Sequence, residues 1–101
     1  MSNLRNSETD ALFEAILSLD SLEECYRFFD DACTIKEMKE IAQRFYVARL
    51  LHSGKNYQEV NAATGVSTAT ICRVNKCLNY GEGGYRTAIE RLEKEGKTIN
   101  D

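Results

Sequence analysis

Four times in its first 59 residues the chain sets a Ser, Thr or Asn three residues ahead of an Asp or Glu: Ser7 with Asp10, Ser21 with Glu24, Thr34 with Glu37, and Asn56 with Glu59. In that arrangement the small side chain accepts an amide proton from the first turn of a helix, and the acid reaches back to the N–H of the cap. Each box therefore predicts a helix start. None of the 101 residues is proline, and the six glycines fall at segment ends, so nothing interrupts the helices that the caps begin. The predicted fold class is all-α.

Apolar spacing fills in the segments. The first helix runs from Ser7 to about Leu19, with Ala11, Leu12, Ala15, Ile16 and Leu19 on one stripe. A second begins at Ser21 and carries Cys25, Phe28, Phe29 and Ala32. Thr34 opens the third and longest, where Met38, Ile41, Ala42, Phe45, Ala48 and Leu51 recur until Gly54, with Arg44 and Arg49 on its other side. Asn56 begins a fourth of barely two turns that stops at Gly65. Ser67 or Thr68 caps a fifth that continues through Leu78. A glycine-rich loop over 79–84 leads to a last amphipathic helix from Tyr85 to about Glu95, closed by Gly96. Neither internal repeats nor a boundary composition divides the chain, so the reading is one helical domain over residues 1–101.

A chain of this length can bury only a modest core by itself, which favours a partner subunit. It opens with no basic stretch followed by an apolar one, and no apolar run approaches membrane-spanning length; the expectation is a cytoplasmic protein with no membrane partner. Cys25, Cys33, Cys72 and Cys77 lack the close CxxC pairs of a zinc site, and Cys72 and Cys77 point in different directions on a helix. They read as buried or neutral thiols, so no metal or cofactor is expected. His52 has no nucleophile or acid close to it in sequence and no phosphate-binding glycine loop beside it. Nothing in the chain reads as an enzyme.

The net charge of -3 argues against nucleic acid until its distribution is considered. Residues 1–40 hold ten acidic against four basic side chains, net -6, whereas residues 41–81 hold five basic ones against Glu59 alone, net +4. An acidic scaffold carrying one cationic reading unit has this asymmetry. Residues 56–78 have the matching geometry, that of a helix-turn-helix: a short first helix, a turn with glycine, and a second helix whose far side is free for the major groove. Val60 and Thr64 face inward, Gly65 permits the turn, Val66 plugs it, and Ile71, Val74 and Leu78 form the inner stripe of the second helix. The outer face is then Thr68, Ala69, Thr70, Cys72, Arg73 and Lys76. It is small at its start, where base edges could approach, and cationic further on, where phosphates would lie. Two short helices joined at glycine are also a common corner in helical bundles.

From Thr34 to Leu78 the chain resembles the Trp repressor family, most clearly through "TIKEMKEIAQRF", "LLHSGKNYQEV" and "TATICRVNK"; the "NYGEGGY" loop resembles the YerC/YecD branch of that family. The resemblance implies a six-helix, intertwined homodimer in which each subunit buries its apolar faces against the other. In the Trp repressor, tryptophan lies between the core and the reading head. By this resemblance Thr34 and Arg44 fall on the core-side wall of that pocket and Arg73 on the reading-head side. Val74 stands where the family has a glycine beneath the indole, and Cys77 where it has a serine near the ligand amine. A branched side chain takes up volume a flat ring needs, and a thiol is a weaker hydrogen-bonding group than a hydroxyl. Tryptophan is not the expected corepressor, and no other small-molecule effector is identified.

The expected function is that of a homodimeric, sequence-specific transcriptional regulator of double-stranded DNA. The alternative is a dimeric helical interaction or scaffold protein that keeps the fold without reading DNA. The overall negative charge favours that alternative, as does Asn61 where many reading heads prefer a small residue.

Overall fold

The computed structural model describes residues 4–99. Among them are six helices and no strand: α1 Ser7–Leu17, α2 Leu22–Ala32, α3 Ile35–His52, α4 Tyr57–Thr64, α5 Thr68–Tyr80 and α6 Gly84–Lys94. The all-α expectation holds. The chain divides into two compact units, one up to Met38 and one from Lys39 onward.

Three of the four boxes start helices as the spacing predicts. Thr34 and Glu37 bond reciprocally, the Glu37 amide donating to the Thr34 hydroxyl at 3.1 Å and the Thr34 amide to the Glu37 carboxylate at 2.8 Å. Asn56 and Glu59 do the same at 2.8 and 2.9 Å. At Ser21 the hydroxyl accepts from the Glu24 amide, but the Glu24 carboxylate reaches one residue further back, to the amide of Asp20. The first helix differs. Its cap is Asn6, whose side-chain oxygen accepts from Thr9 at 2.8 Å, so Ser7 lies inside the helix, which ends at Leu17. Either residue can cap, and the carboxamide one position earlier takes the role.

In the N-terminal unit, α1 and α2 hold no buried residue. Leu12, Phe13, Leu17, Leu22 and Tyr26 are exposed, Leu17 to 83%. Phe28 and Phe29 meet edge to face with ring centres 5.2 Å apart.

In the other unit the core comprises Val47, Ala48 and Leu50 of α3, Val60 of α4, Val66 of the turn, Ile71, Val74 and Leu78 of α5, and Ile89 of α6. The predicted stripe of α3 needs correction. Of the Met38, Ile41, Ala42, Phe45, Ala48 and Leu51 stripe, Ala48 is buried and Phe45 and Leu51 pack half-buried against the core, but Val47 and Leu50, outside it, are buried as well, while Ile41 is 46% exposed. α3 thus buries the later part of its predicted stripe together with Val47 and Leu50, and leaves Ile35, Ile41 and Tyr46 exposed.

Candidate nucleic-acid interface

α4 and α5 form a helix-turn-helix whose corner is built by side chains of α4. Gly65 ends α4 in the left-handed region, φ 72°, which a residue with a Cβ adopts only at a cost. Its amide donates to the Asn61 carbonyl at 2.8 Å. Both backbone groups of Val66 are then held: its N–H donates to the Thr64 hydroxyl at 3.1 Å, and its carbonyl accepts from the Asn61 carboxamide at 2.8 Å. The Thr64 hydroxyl in turn donates to the Val60 carbonyl. Asn61, which counted against a reading head on composition, is part of the lock that sets the angle between the two helices. The signal was present in sequence as an amide five residues ahead of the turn residue it bonds.

Ser67 caps α5, accepting from the Thr70 amide at 3.2 Å and donating to the Thr70 hydroxyl at 3.1 Å. From there the helix separates two faces. Ile71, Val74 and Leu78 are buried in the core. Thr68, Ala69, Cys72, Arg73 and Lys76 are exposed, and Thr70 is half-buried. Ala69, Cys72 and Arg73, and Lys76 follow one another at helical spacing along the outermost ridge. Between Glu59 and Glu82 no acidic residue occurs, and Arg73 and Lys76 have no ion-pair or hydrogen-bond partner among the described residues.

The helix also runs two residues beyond the expected Leu78. It ends at Tyr80, where Gly81 takes over because a Cβ there would press on the Cys77 carbonyl. This extension puts Tyr80, 88% exposed, on the same ridge eleven residues after Ala69. Arg86 of α6 holds this far end, its Nε donating to the Leu78 carbonyl at 3.0 Å and an Nη to the Asn79 side chain at 2.9 Å. Neither Tyr80 nor Arg86 stood out in sequence, because Asn79 and the glycines after it read as the start of a loop.

Comparison with known proteins decides the lineage. The family model described as Trp repressor protein matches residues 7–93. The chain belongs to the Trp repressor family. It is 53% identical over 94 residues to the uncharacterised protein YerC of Bacillus subtilis (strain 168), covering 93% of this chain and 90% of that one. A crystal structure of a TrpR-like protein from Eubacterium eligens ATCC 27750 superposes with a TM-score of 0.85 at 44% identity, over 96% of this chain and 97% of that one. A Staphylococcus aureus crystal structure gives 0.84 at 40% identity, over 96% and 94%. The six-helix architecture is that of Trp-repressor-like proteins.

The five residues that the resemblance places around the family's ligand pocket do not share one environment. Val74 is 1% exposed and packs in the core, whereas its helix neighbours Arg73 and Cys77 face solvent. Arg44 is half-buried and lines a shallow polar depression of about 310 Å³ with Glu40, Gln43, Ser67 and Thr70, beside the start of α5. Thr34 belongs to the N-terminal unit, and its hydroxyl is engaged in capping α3. All four cysteines are free thiols; Cys25 and Cys33 are half-buried, and Cys72 and Cys77 are exposed rather than buried. No helix among the described residues is long and apolar enough to cross a membrane.

Proposed function

We propose that the protein is a homodimeric, sequence-specific DNA-binding transcription regulator of the repressor type, with α4 and α5 as its reading head and with no dependence on tryptophan. The observation that carries this reading is the two-sidedness of α5: three apolar side chains bury one face, and the other presents small residues followed by two cations with no partner among the described residues. A recognition helix needs that division, since its N-terminal residues meet base edges while cations along it meet phosphates. The membership of the chain in a family of DNA-binding regulators supports the same conclusion.

The dimer is supported by the apolar faces left uncovered. α1 and α2 expose five large hydrophobic side chains and bury none, and α3 leaves Ile35, Ile41 and Tyr46 exposed. A second copy that supplies the complementary faces would remove them from water, as the intertwined arrangement implied by the family resemblance does. Independence from tryptophan is supported by Val74, whose side chain fills the core at the position of the family's glycine.

Salt-titrated binding of the full-length protein to genomic DNA fragments tests the reading, alongside sedimentation at the same concentrations. The expected result is a dimer that prefers a subset of fragments, with affinity falling as salt rises. A compact monomer, or equal affinity for every fragment, would overturn it in favour of a scaffold role.

A further inference from the structure

The leading edge of α5 carries chemistry of a limited kind. Its first five residues are Thr68, Ala69, Thr70, Ile71 and Cys72, among which there is no arginine, asparagine or glutamine. Those absent side chains are the ones that make the paired hydrogen bonds by which guanine and adenine are singled out in the major groove. Two of the nearby hydroxyls are already engaged, since Ser67 and Thr70 bond each other within the cap. Asn75, the nearest carboxamide on the helix, is half-buried and accepts from Asn79 at 3.0 Å. What projects outward at this end is the Ala69 methyl, the methyl and hydroxyl of Thr68, and the Cys72 thiol, all on exposed residues.

A lone hydroxyl bonds to any base and so discriminates little, so among the direct contacts these side chains can make to base edges the apolar ones carry the preference. Only thymine among the four bases presents an apolar group, its C5 methyl, in the major groove. We propose that α5 selects its operator through thymine methyl groups, with Ala69 and Thr68 as the specificity-determining residues and Cys72 one turn further along. This inference rests on α5 being the DNA-reading helix. Ala69 and Cys72 are three residues apart, about 4.5 Å along the helix axis. Arg73 and Lys76, further from the leading edge, then serve phosphates and fix the register without contributing preference.

The test uses full-length protein and a preferred site selected from a random duplex pool. Each thymine of that site is replaced in turn by deoxyuridine, which deletes the methyl and leaves pairing and every groove hydrogen-bonding group intact. At fixed salt, one or two positions per half-site are expected to lose about fourfold in affinity each, the effect of one buried carbon. Thr68→Ser removes a methyl but keeps the hydroxyl and the cap geometry, and should abolish sensitivity at its own thymine only. Ala69→Gly should do so at the neighbouring one, with Ala69→Ser as the variant of choice if the glycine loosens the helix by circular dichroism. A selected site that tolerates uridine everywhere would refute methyl readout, and a sensitivity unchanged in both variants would refute its assignment to Thr68 and Ala69; either result leaves DNA reading intact. Failure of the selection to enrich any sequence would refute the DNA-reading assignment itself, and the inference with it.

Discussion

Replacing Val74 with alanine is the sharpest probe of how the reading head is held. The side chain is 1% exposed in the core that α5 shares with α3, α4 and α6. Alanine removes two methyl groups, worth about 1.6 kcal/mol at ~0.8 kcal/mol per buried carbon. Incomplete collapse of the space left behind adds roughly 1 kcal/mol. The expected loss is therefore about 2–3 kcal/mol, whereas Cys77→Ala, on the exposed side of the same helix, should stay within about 0.5 kcal/mol. Urea unfolding at one fixed protein concentration measures both, since the stability of an oligomer depends on concentration. Val74→Gly should cost about 1 kcal/mol more than the alanine variant, through the poor helix propensity of glycine. A cost below about 1 kcal/mol for Val74→Ala, or equal costs for Val74→Ala and Cys77→Ala, would refute the view that this valine anchors the head.

Lys76→Ala should weaken binding to all DNA sequences alike and flatten the salt slope by about one unit; an effect confined to one sequence would show that the ammonium reads bases instead. Asn61→Ala removes the carboxamide that holds the Val66 carbonyl and should cost about 1 kcal/mol in urea unfolding, while Asn61→Asp, which cannot donate there, should cost at least as much; an unchanged midpoint in both would remove Asn61 from the turn lock. Glu37 should titrate below the ordinary glutamate range, because its carboxylate accepts the Thr34 backbone N–H and is further favoured by the Thr34 side chain. A depressed carboxylate contributes stability that is present above its unfolded-state pKa and is lost as pH falls through the folded value, so this cap should weaken only in acid; an NMR titration in which Glu37 titrates in the ordinary glutamate range would contradict that cause. L-Tryptophan should neither bind by calorimetry nor tighten DNA binding, and micromolar binding coupled to tighter DNA binding would overturn the reading of Val74.

Local signals on the page explain which parts of this fold were legible in sequence. The caps at Ser21, Thr34, Asn56 and Ser67 depend on residues three apart, and the inner stripe of α5 depends on spacing within one helix, so both could be read without knowing what packs where. The buried face of α3 was legible only in part: Ala48 follows from the spacing, whereas Val47 and Leu50 lie off that stripe and are covered only through tertiary packing. Asn61 was misread for a related reason: its value lies in a bond to the Val66 carbonyl, and composition alone shows only a polar residue of moderate size. Tyr80 was missed because its position depends on where α5 stops. Asn79 and Gly81 look like loop residues, yet the helix continues through Tyr80 and Gly81 caps it, at a position where a Cβ would press on the Cys77 carbonyl.

The proposed independence from a ligand follows from how many restraints converge on α5. A head that samples competent and incompetent positions binds DNA with an affinity reduced by the competent fraction, and a corepressor acts by raising that fraction. In this chain the near end of α5 is tied to α4 through both backbone groups of Val66, and its far end is gripped by Arg86. Its middle is anchored by Ile71, Val74 and Leu78 in the core. Each restraint is made of the chain's own side chains, so their contribution does not depend on the concentration of a small molecule. A glycine at position 74 would leave the middle of the helix without its central anchor and open space beside Ile71. In that arrangement a flat ring could supply the missing contacts, and the competent fraction would then be open to control by a ligand. On this proposal valine supplies those contacts permanently, so the head is held for DNA without tryptophan.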